Sequence, residues 1–173
     1  HPLDNPMSDV YTATLDLATG KPLAPPKMAS QRYVGFLNRG PRWSPDGKQF
    51  AYLSIELKNR TPVSRTILLV SSDTGQERQM PVPPGFELMA GAFRWFHDGR
   101  SLILVGKINN GSSGFYKVDT QTGEAKFLMP NSHGALVFAP WLSPDEKTIV
   151  YQAINRAILV RDLGSSEERT LYQ

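Results

Sequence analysis

A turn motif that recurs three times constrains the fold of this chain more than any other feature. The three copies are residues 43–48 (WSPDGK), 95–100 (WFHDGR) and 142–147 (LSPDEK). Each copy has a bulky apolar residue, a turn, a cation and then a β-rich apolar run, and the aspartates at 46, 98 and 145 are 52 and 47 positions apart. A repeat of this period is typical of folds in which one supersecondary unit stacks against the next.

A second turn motif follows each copy of the first and also occurs near the start of the chain. It occupies residues 16–21 (DLATGK), 71–76 (SSDTGQ), 119–124 (DTQTGE) and 162–167 (DLGSSE), each after a strand-like run. Glycine is expected to supply the positive φ that a tight hairpin requires in these turns. Each repeat is therefore predicted to form four short strands. Four strands in roughly 40–50 residues match the length of a propeller blade. No window shows a sustained period of 3.6 residues, so almost no helix is predicted.

The repeats divide the chain into about three and a half four-stranded antiparallel blades. The predicted blades are residues 29–82, 83–130 and 131–173, and residues 1–28 are the trailing hairpin of another. We expect the bulky residues Trp43, Trp95 and Leu142 to lie in the apolar core between blades, because a blade must bury both faces against its neighbours. Closed propellers need at least four blades. The ring is therefore expected to be completed by further blades or by a second copy of the chain.

Residues 41–48 (PRWSPDGK) resemble the signature of the WD40-like (PD40) repeat found in TolB-type β-propellers, and the turn at residues 119–124 resembles that family too. The second copy departs at Phe96 and His97, where Ser-Pro is expected. The third departs at Leu142, where Trp is expected, and at Glu146, where Gly is expected.

The resemblance implies an all-β propeller, generally six-bladed, bacterial and often periplasmic, that acts as a platform for protein binding. Similar repeats also form the gating propellers of some serine peptidases and the sensory parts of bacterial kinases and transcription regulators. A cytoplasmic location is compatible with such repeats. The signature itself is structural and carries no catalytic residue.

The composition excludes several classes of protein. The chain has no cysteine, which excludes a disulfide scaffold, a cysteine zinc site and an iron–sulfur centre. Its net charge of +3 is spread along the chain, so nucleic acid is not an expected partner. No apolar stretch approaches the roughly 18 residues of a membrane helix. The sequence has no P-loop, dinucleotide fingerprint or paired-histidine motif, so neither a cofactor nor a metal is expected.

Four motifs that could suggest catalysis have a simpler interpretation as turns. Residues 111–114 (GSSG) lie between two strand-like runs and predict a hairpin loop rather than a nucleophile elbow. The Asp-Thr-Gly at residues 73–75 matches the triplet of aspartic proteases, but those enzymes need two such aspartates and only Thr-Gly recurs here. His97 and His133 fall in a repeat turn and a polar loop. No catalytic residue is therefore predicted in this chain.

The strongest candidates for partner binding are Arg42, Arg94 and Trp141, which occupy one equivalent position of the repeat. The ordinary interpretation is structural: the aliphatic parts of the arginine side chains pack against the protein while their charged ends remain in solvent. The functional interpretation is a basic and aromatic patch, since arginine and tryptophan are over-represented in interface hot spots. The loops expected at residues 56–65 and 107–114 are further candidates, because loops often carry binding residues.

Two functions remain open. The chain is predicted to be a non-catalytic module that binds a protein, a peptide or a glycan. Alternatively, it is the accessory, gating or sensor propeller of a hydrolase, kinase or transcription regulator whose catalytic or effector domain lies outside these residues. Direct hydrolysis by the chain itself is a weaker third hypothesis.

Overall fold

The computed structural model describes residues 7–34, 36–89, 92–131, 138–153 and 155–172. Within these ranges the chain has fifteen β-strands and no helix, which confirms the all-β prediction. No helix that could cross a membrane occurs in this part of the chain. The strands are β1 (Tyr11–Thr12), β2 (Lys27–Met28), β3 (Leu37–Trp43), β4 (Gln49–Lys58), β5 (Thr61–Ser71), β6 (Glu77–Gln79), β7 (Phe86–Leu88), β8 (Arg94–Trp95), β9 (Ser101–Ile108), β10 (Gly114–Asp119), β11 (Ala125–Pro130), β12 (Phe138–Leu142), β13 (Thr148–Gln152), β14 (Ile158–Asp162) and β15 (Glu168–Tyr172).

The strands form one two-stranded sheet and three larger antiparallel sheets. β1 pairs with β2, and two sheets follow chain order as β3-β4-β5-β6 and β12-β13-β14-β15. In the remaining sheet, β11-β10-β9-β7, the strand β8 also pairs with β9. β7 lies along residues 106–108 of β9 and β8 along residues 102–103, so two short pieces share the place of one first strand.

The hairpin between β4 and β5 is longer than the sequence suggested. Pairing continues to Lys58 and Thr61, so the loop expected at residues 56–65 is wrong. Asn59 and Arg60 turn the chain with φ of 51° and 64°. Two successive residues with positive φ match the twist of the flanking strands, which lets a two-residue turn close the hairpin. The other expected loop is shorter than predicted, since only residues 109–113 lie between β9 and β10.

Contacts divide the chain into two compact units. The first comprises His1–Pro41 and Gly47–Gln79, and the second Arg42–Asp46 and Met80–Gln173. In the first unit, alternate residues of β4 and β5 form one apolar face, because side chains of a strand alternate between its two faces. This core consists of Val10, Ala29, Phe50, Tyr52, Leu68 and Val70.

The core of the second unit joins two sheets. One sheet contributes Phe115 and Met129, and the other contributes Ile149, Tyr151 and Leu159. Phe115 and Tyr151 pack with their ring centroids 5.2 Å apart. Sheets packed face to face in this way satisfy the requirement that a blade bury its apolar surface against a neighbour.

The three bulky residues of the first motif differ in burial. Trp95 is 8% exposed and Leu142 packs against the core, as predicted. Trp43 is 54% exposed, so its predicted burial is wrong. Both tryptophans lie on edge strands, but the whole end of β3 at residues 39–43 is exposed, whereas the ring of Trp95 is covered.

Candidate partner-binding site

The side chains of the first repeated motif are used by the turn itself. The Asp98 carboxylate accepts hydrogen bonds from the amides of Arg100 (2.8 Å) and Ser101 (2.7 Å), and Lys117 Nζ lies 2.9 Å from it. Burial by itself would raise the pKa of Asp98, but these hydrogen bonds outweigh it and hold the pKa at about 2. In the third copy Asp145 accepts from the amide of Lys147 at 3.1 Å and from the hydroxyl of Ser143 at 2.6 Å.

The third copy of this turn keeps its backbone shape without glycine. Gly47 and Gly99 have φ of 69° and 62°, and Glu146, at the equivalent position, has φ of 58°. The Glu146 carboxylate accepts the backbone N–H of His97. The His97 imidazole is 59% exposed, in a turn as predicted. His1 and His133 lie outside the described residues.

The second repeated motif is also built from turn hydrogen bonds. Asp119 Oδ1 accepts from the amides of Gln121 and Thr122, both at 2.8 Å. Asp16 and Asp162 accept from the amides two and three residues further on in the same way. Carboxylate side chains commonly stabilise turns by such bonds.

The Asp-Thr-Gly triplet occupies the same kind of turn. Ser71 stands where the other copies have aspartate, and its Oγ accepts from the amide of Thr74. Asp73 is therefore at an exposed middle position of the turn, which agrees with the interpretation as a turn. In the fourth copy the positive φ of 63° falls on Ser166 and not on Gly164, so the expectation that glycine supplies it is wrong there.

The two motifs are joined at one end of each sheet. The amides of Ser72, Thr120 and Leu163 donate to the carbonyls of residues 48, 100 and 147, at 2.9, 3.0 and 2.8 Å. The recurring residues of both motifs thus maintain the blade and leave little for recognition.

The three residues proposed from the repeat alignment lie together in the second unit. β8 and β12 are neighbours, and the guanidinium carbon of Arg94 lies 4.3 Å from the ring centroid of Trp141. Trp95 Nε1 donates to the carbonyl of Arg42 at 2.9 Å, which holds the segment that carries Arg42 beside β8. Burial, and then the charge of Arg42, lower the pKa of Arg94. We call Arg42, Arg94 and Trp141 the arginine–tryptophan cluster.

The cluster combines a constrained cation with an exposed ring. Arg94 Nη1 donates to the carbonyl of Phe93 at 2.8 Å, while its Nε is buried without a hydrogen-bond partner among the described residues. Trp141 is 59% exposed. A guanidinium stacked on tryptophan at this distance gains about 0.5–1 kcal/mol, more when it is shielded from water.

Sequence reasoning missed two clefts at equivalent positions of two repeats. One, of about 390 Å³, is lined by Gln31, Arg32, Gln49, Leu69, Ser71, Gln76, Glu77 and Arg78. The other, of about 470 Å³, is lined by Thr148, Val160, Asp162, Glu167, Glu168 and Arg169. The signal that could have found them is the repeated pair of a tyrosine in the second strand and a glutamate in the fourth.

The carboxylate of the glutamate in the first cleft, Glu77, is hydrogen-bonded within the protein. Tyr52 donates its hydroxyl to Glu77 at 2.6 Å, and the amides of Gln31 and Arg32 donate to the same carboxylate at 3.0 and 3.2 Å. The corresponding pair is Tyr151 and Glu168. Among the described residues, no group of three or more histidine and carboxylate side chains is arranged to hold a metal ion.

Comparison with known proteins supports the architecture. No protein-family model matches the chain, and no curated protein matches it. Among solved structures, TolB from Acinetobacter baumannii is similar with a TM-score of 0.60 and 22% identity, over 84% of this chain and 34% of that one. An oligogalacturonate lyase in complex with manganese has a TM-score of 0.63 and 18% identity, over 92% and 41%. Dipeptidyl peptidase 4 from Porphyromonas gingivalis has a TM-score of 0.54 and 10% identity, over 86% and 28%.

These sheets define a TolB-like β-propeller fold. The chain spans less than half the length of each of the three structures, which agrees with the prediction of an incomplete propeller. At these identities the similarity concerns the fold.

Proposed function

We propose that this chain is a non-catalytic propeller module that binds a protein or peptide partner through Arg42, Arg94 and Trp141. The observation that supports this most directly is the stacking of Arg94 on an exposed tryptophan, with a second arginine beside it. Arginine and tryptophan are the residue types most enriched in interface hot spots.

A second reason for assigning the cluster to recognition is that one polar group of Arg94 has no partner among the described residues. The recurring turn residues have their polar groups occupied within the blade, whereas Arg94 keeps a buried Nε without a partner in the described part of the chain. A buried donor without a partner costs about 1–3 kcal/mol. Arg161 also has a buried Nε without a partner, but its guanidinium lies 3.6 Å from the Glu168 carboxylate, whereas Arg94 has no ion pair among the described residues.

The proposal includes a setting outside the cytoplasm in a bacterium. The support is the resemblance to TolB-type propellers together with the similarity to TolB itself. The proposed blade boundaries are those of the repeat, at residues 28, 82 and 130.

The alternative is an accessory propeller of a larger enzyme. It is supported by the similarity to a lyase and to a dipeptidyl peptidase, of which this chain spans only a part. The sequence that flanks the chain in its gene discriminates between the two. A hydrolase, kinase or regulator motif set there would favour the alternative, and further blades alone would favour the module.

Selection from a library of random dodecapeptides displayed on phage tests the proposed function. The enriched peptides are labelled with fluorescein, and their affinities for the wild-type chain and its variants are measured by anisotropy. Arg94→Gln and Trp141→Ala are each expected to weaken binding at least tenfold, which corresponds to about 1.4 kcal/mol.

The matched controls are Arg65→Gln and Tyr172→Ala, which alter an exposed cation and an exposed aromatic ring outside the cluster. They are expected to bind like the wild type. Enrichment of no peptide, or equal binding by the cluster variants and the controls, would refute the proposal.

A further inference from the structure

The chemistry of the arginine–tryptophan cluster restricts the kind of partner it can hold. Arg94 is partly buried and stacks on Trp141, and burial first, and then the like charge of Arg42, lower its pKa. Two cations held near each other repel, and the repulsion is stronger where water is displaced. A negative group placed between them removes this repulsion and gains from both charges.

The accessible part of Arg94 determines how such a group is held. Nε is covered, and Nη1 already donates to the carbonyl of Phe93. A ligand therefore reaches the guanidinium at its Nη end. Planar guanidinium groups bind carboxylates through paired N–H donors, and charge-assisted bonds of this kind are roughly twice as strong as neutral ones.

The surroundings of the cluster favour a peptide as the source of that carboxylate. Trp141 offers an exposed apolar ring beside the two cations, and it lies on β12, one of the two edge strands of its sheet. An extended peptide can place an acidic and an apolar side chain on neighbouring residues, and its backbone can hydrogen-bond to an edge strand. An oligosaccharide has no backbone amides to pair with such an edge.

We infer that the cluster binds an acidic peptide segment, with a carboxylate between Arg42 and Arg94 and an apolar side chain against Trp141. This inference rests on the proposed function and adds the chemical class of the partner. Since arginine stays charged throughout the ordinary pH range, binding is expected to depend on ionic strength and not on pH between 6 and 9.

The peptides enriched on the wild-type chain supply the test. We expect aspartate and glutamate to be over-represented among them relative to the unselected library. The tightest peptide is then made again with each carboxylate replaced by its amide, and the neutral peptide is expected to bind at least tenfold more weakly. In Arg94→Gln the ratio is expected to fall to about threefold or less, because only Arg42 remains to attract the carboxylate, whereas Arg65→Gln keeps the tenfold ratio. Arg94→Lys, which retains the charge, is expected to recover part of the ratio.

The outcomes separate the two proposals. Enriched peptides that need the cluster but carry no carboxylate, or a neutral peptide that binds as tightly as the acidic one, would overturn the inference and leave the proposed function standing. If a uronic-acid oligosaccharide binds the cluster and no peptide does, both the peptide partner and the inference are wrong. Circular dichroism of each variant confirms that it is folded before its affinity is compared.

Discussion

The fifth residue of the second repeated turn motif has a left-handed backbone in all four copies. Substitutions at this position test whether glycine is used there for its backbone conformation. Gly20, Gly75 and Gly123 have φ of 67°, 67° and 76° there, and Ser166 has φ of 63°. A residue with a Cβ in this left-handed region loses about 1–2 kcal/mol, because Cβ crowds the following carbonyl. Ser166→Gly removes that cost but adds about 0.4–1 kcal/mol of chain entropy in the unfolded state. The free energy of unfolding is therefore expected to rise by about 0.5–1 kcal/mol, the difference of these two effects.

The reverse substitutions separate backbone strain from steric overlap. At Gly75 an added Cβ would meet no atom within 4 Å, so Gly75→Ala is expected to cost about 0.5–1 kcal/mol, the backbone strain less the entropy that alanine removes from the unfolded chain. At Gly123 it would lie 3.0 Å from the carbonyl carbon of Pro81, so Gly123→Ala is expected to cost about 2 kcal/mol. Gly164 has an ordinary φ, and Gly164→Ala is the matched control, expected to be neutral or stabilising by up to about 1 kcal/mol.

Urea unfolding followed by tryptophan fluorescence measures these differences. In a chain of this size a change of 1 kcal/mol also shifts the thermal unfolding midpoint by about 2–4 °C. The slope of the unfolding free energy against urea concentration is expected to be the same in all variants. The reasoning fails if Gly75→Ala leaves the midpoint unchanged, or if Gly164→Ala lowers it as much as Gly75→Ala does. In either case the left-handed backbone would not be what glycine provides in these turns.

Three further predictions concern other parts of the chain. Tyr52→Phe removes the hydroxyl that donates to a buried carboxylate and is expected to lower the free energy of unfolding by about 1–3 kcal/mol in urea titrations, with Tyr116→Phe as a near-neutral control. The pKa of Asp98 is lowered in the folded state, so its stabilisation is present above about pH 4 and is lost as the pH falls towards 2. Because this carboxylate is partly exposed, the loss in unfolding free energy is about 1 kcal/mol. In Asp98→Asn the urea midpoint is expected to vary less with pH over that range than in the wild type. The exposed side chains of Tyr11 and Met28, which are paired across β1 and β2, predict self-association of the isolated chain, and light scattering that shows a stable monomer of 19.2 kDa would contradict this.

Much of the fold follows from local chemistry that the sequence displays directly. Asp119 and its counterparts can bond amides two and three residues away wherever they occur, so their spacing predicts the turns. The apolar runs between the turns predict the strands. This is why the four-strand repeat was predicted together with the turns of its two recurring motifs.

Other features depend on signals that are weak or degenerate in a single sequence. Asn59 and Arg60 close a two-residue hairpin although neither is glycine, so the polar stretch around them predicted a loop. Trp43 and Trp95 carry the same local motif, and their different burial depends on what covers each strand. Glu146 adopts the backbone of a glycine while its carboxylate bonds to His97, a residue 49 positions away.

In the candidate site, too, one feature follows from the sequence and another from the tertiary structure. Repeat alignment places Arg42, Arg94 and Trp141 at one equivalent position, which the sequence by itself determined. That Arg94 lies on the face of Trp141, with its Nε buried, was decided only by the approach of β8 to β12. Turns are set by hydrogen bonds between residues a few positions apart, so a sequence encodes them locally. Contacts between repeats depend on how whole sheets pack, and packing sums many weak interactions between residues far apart in the chain.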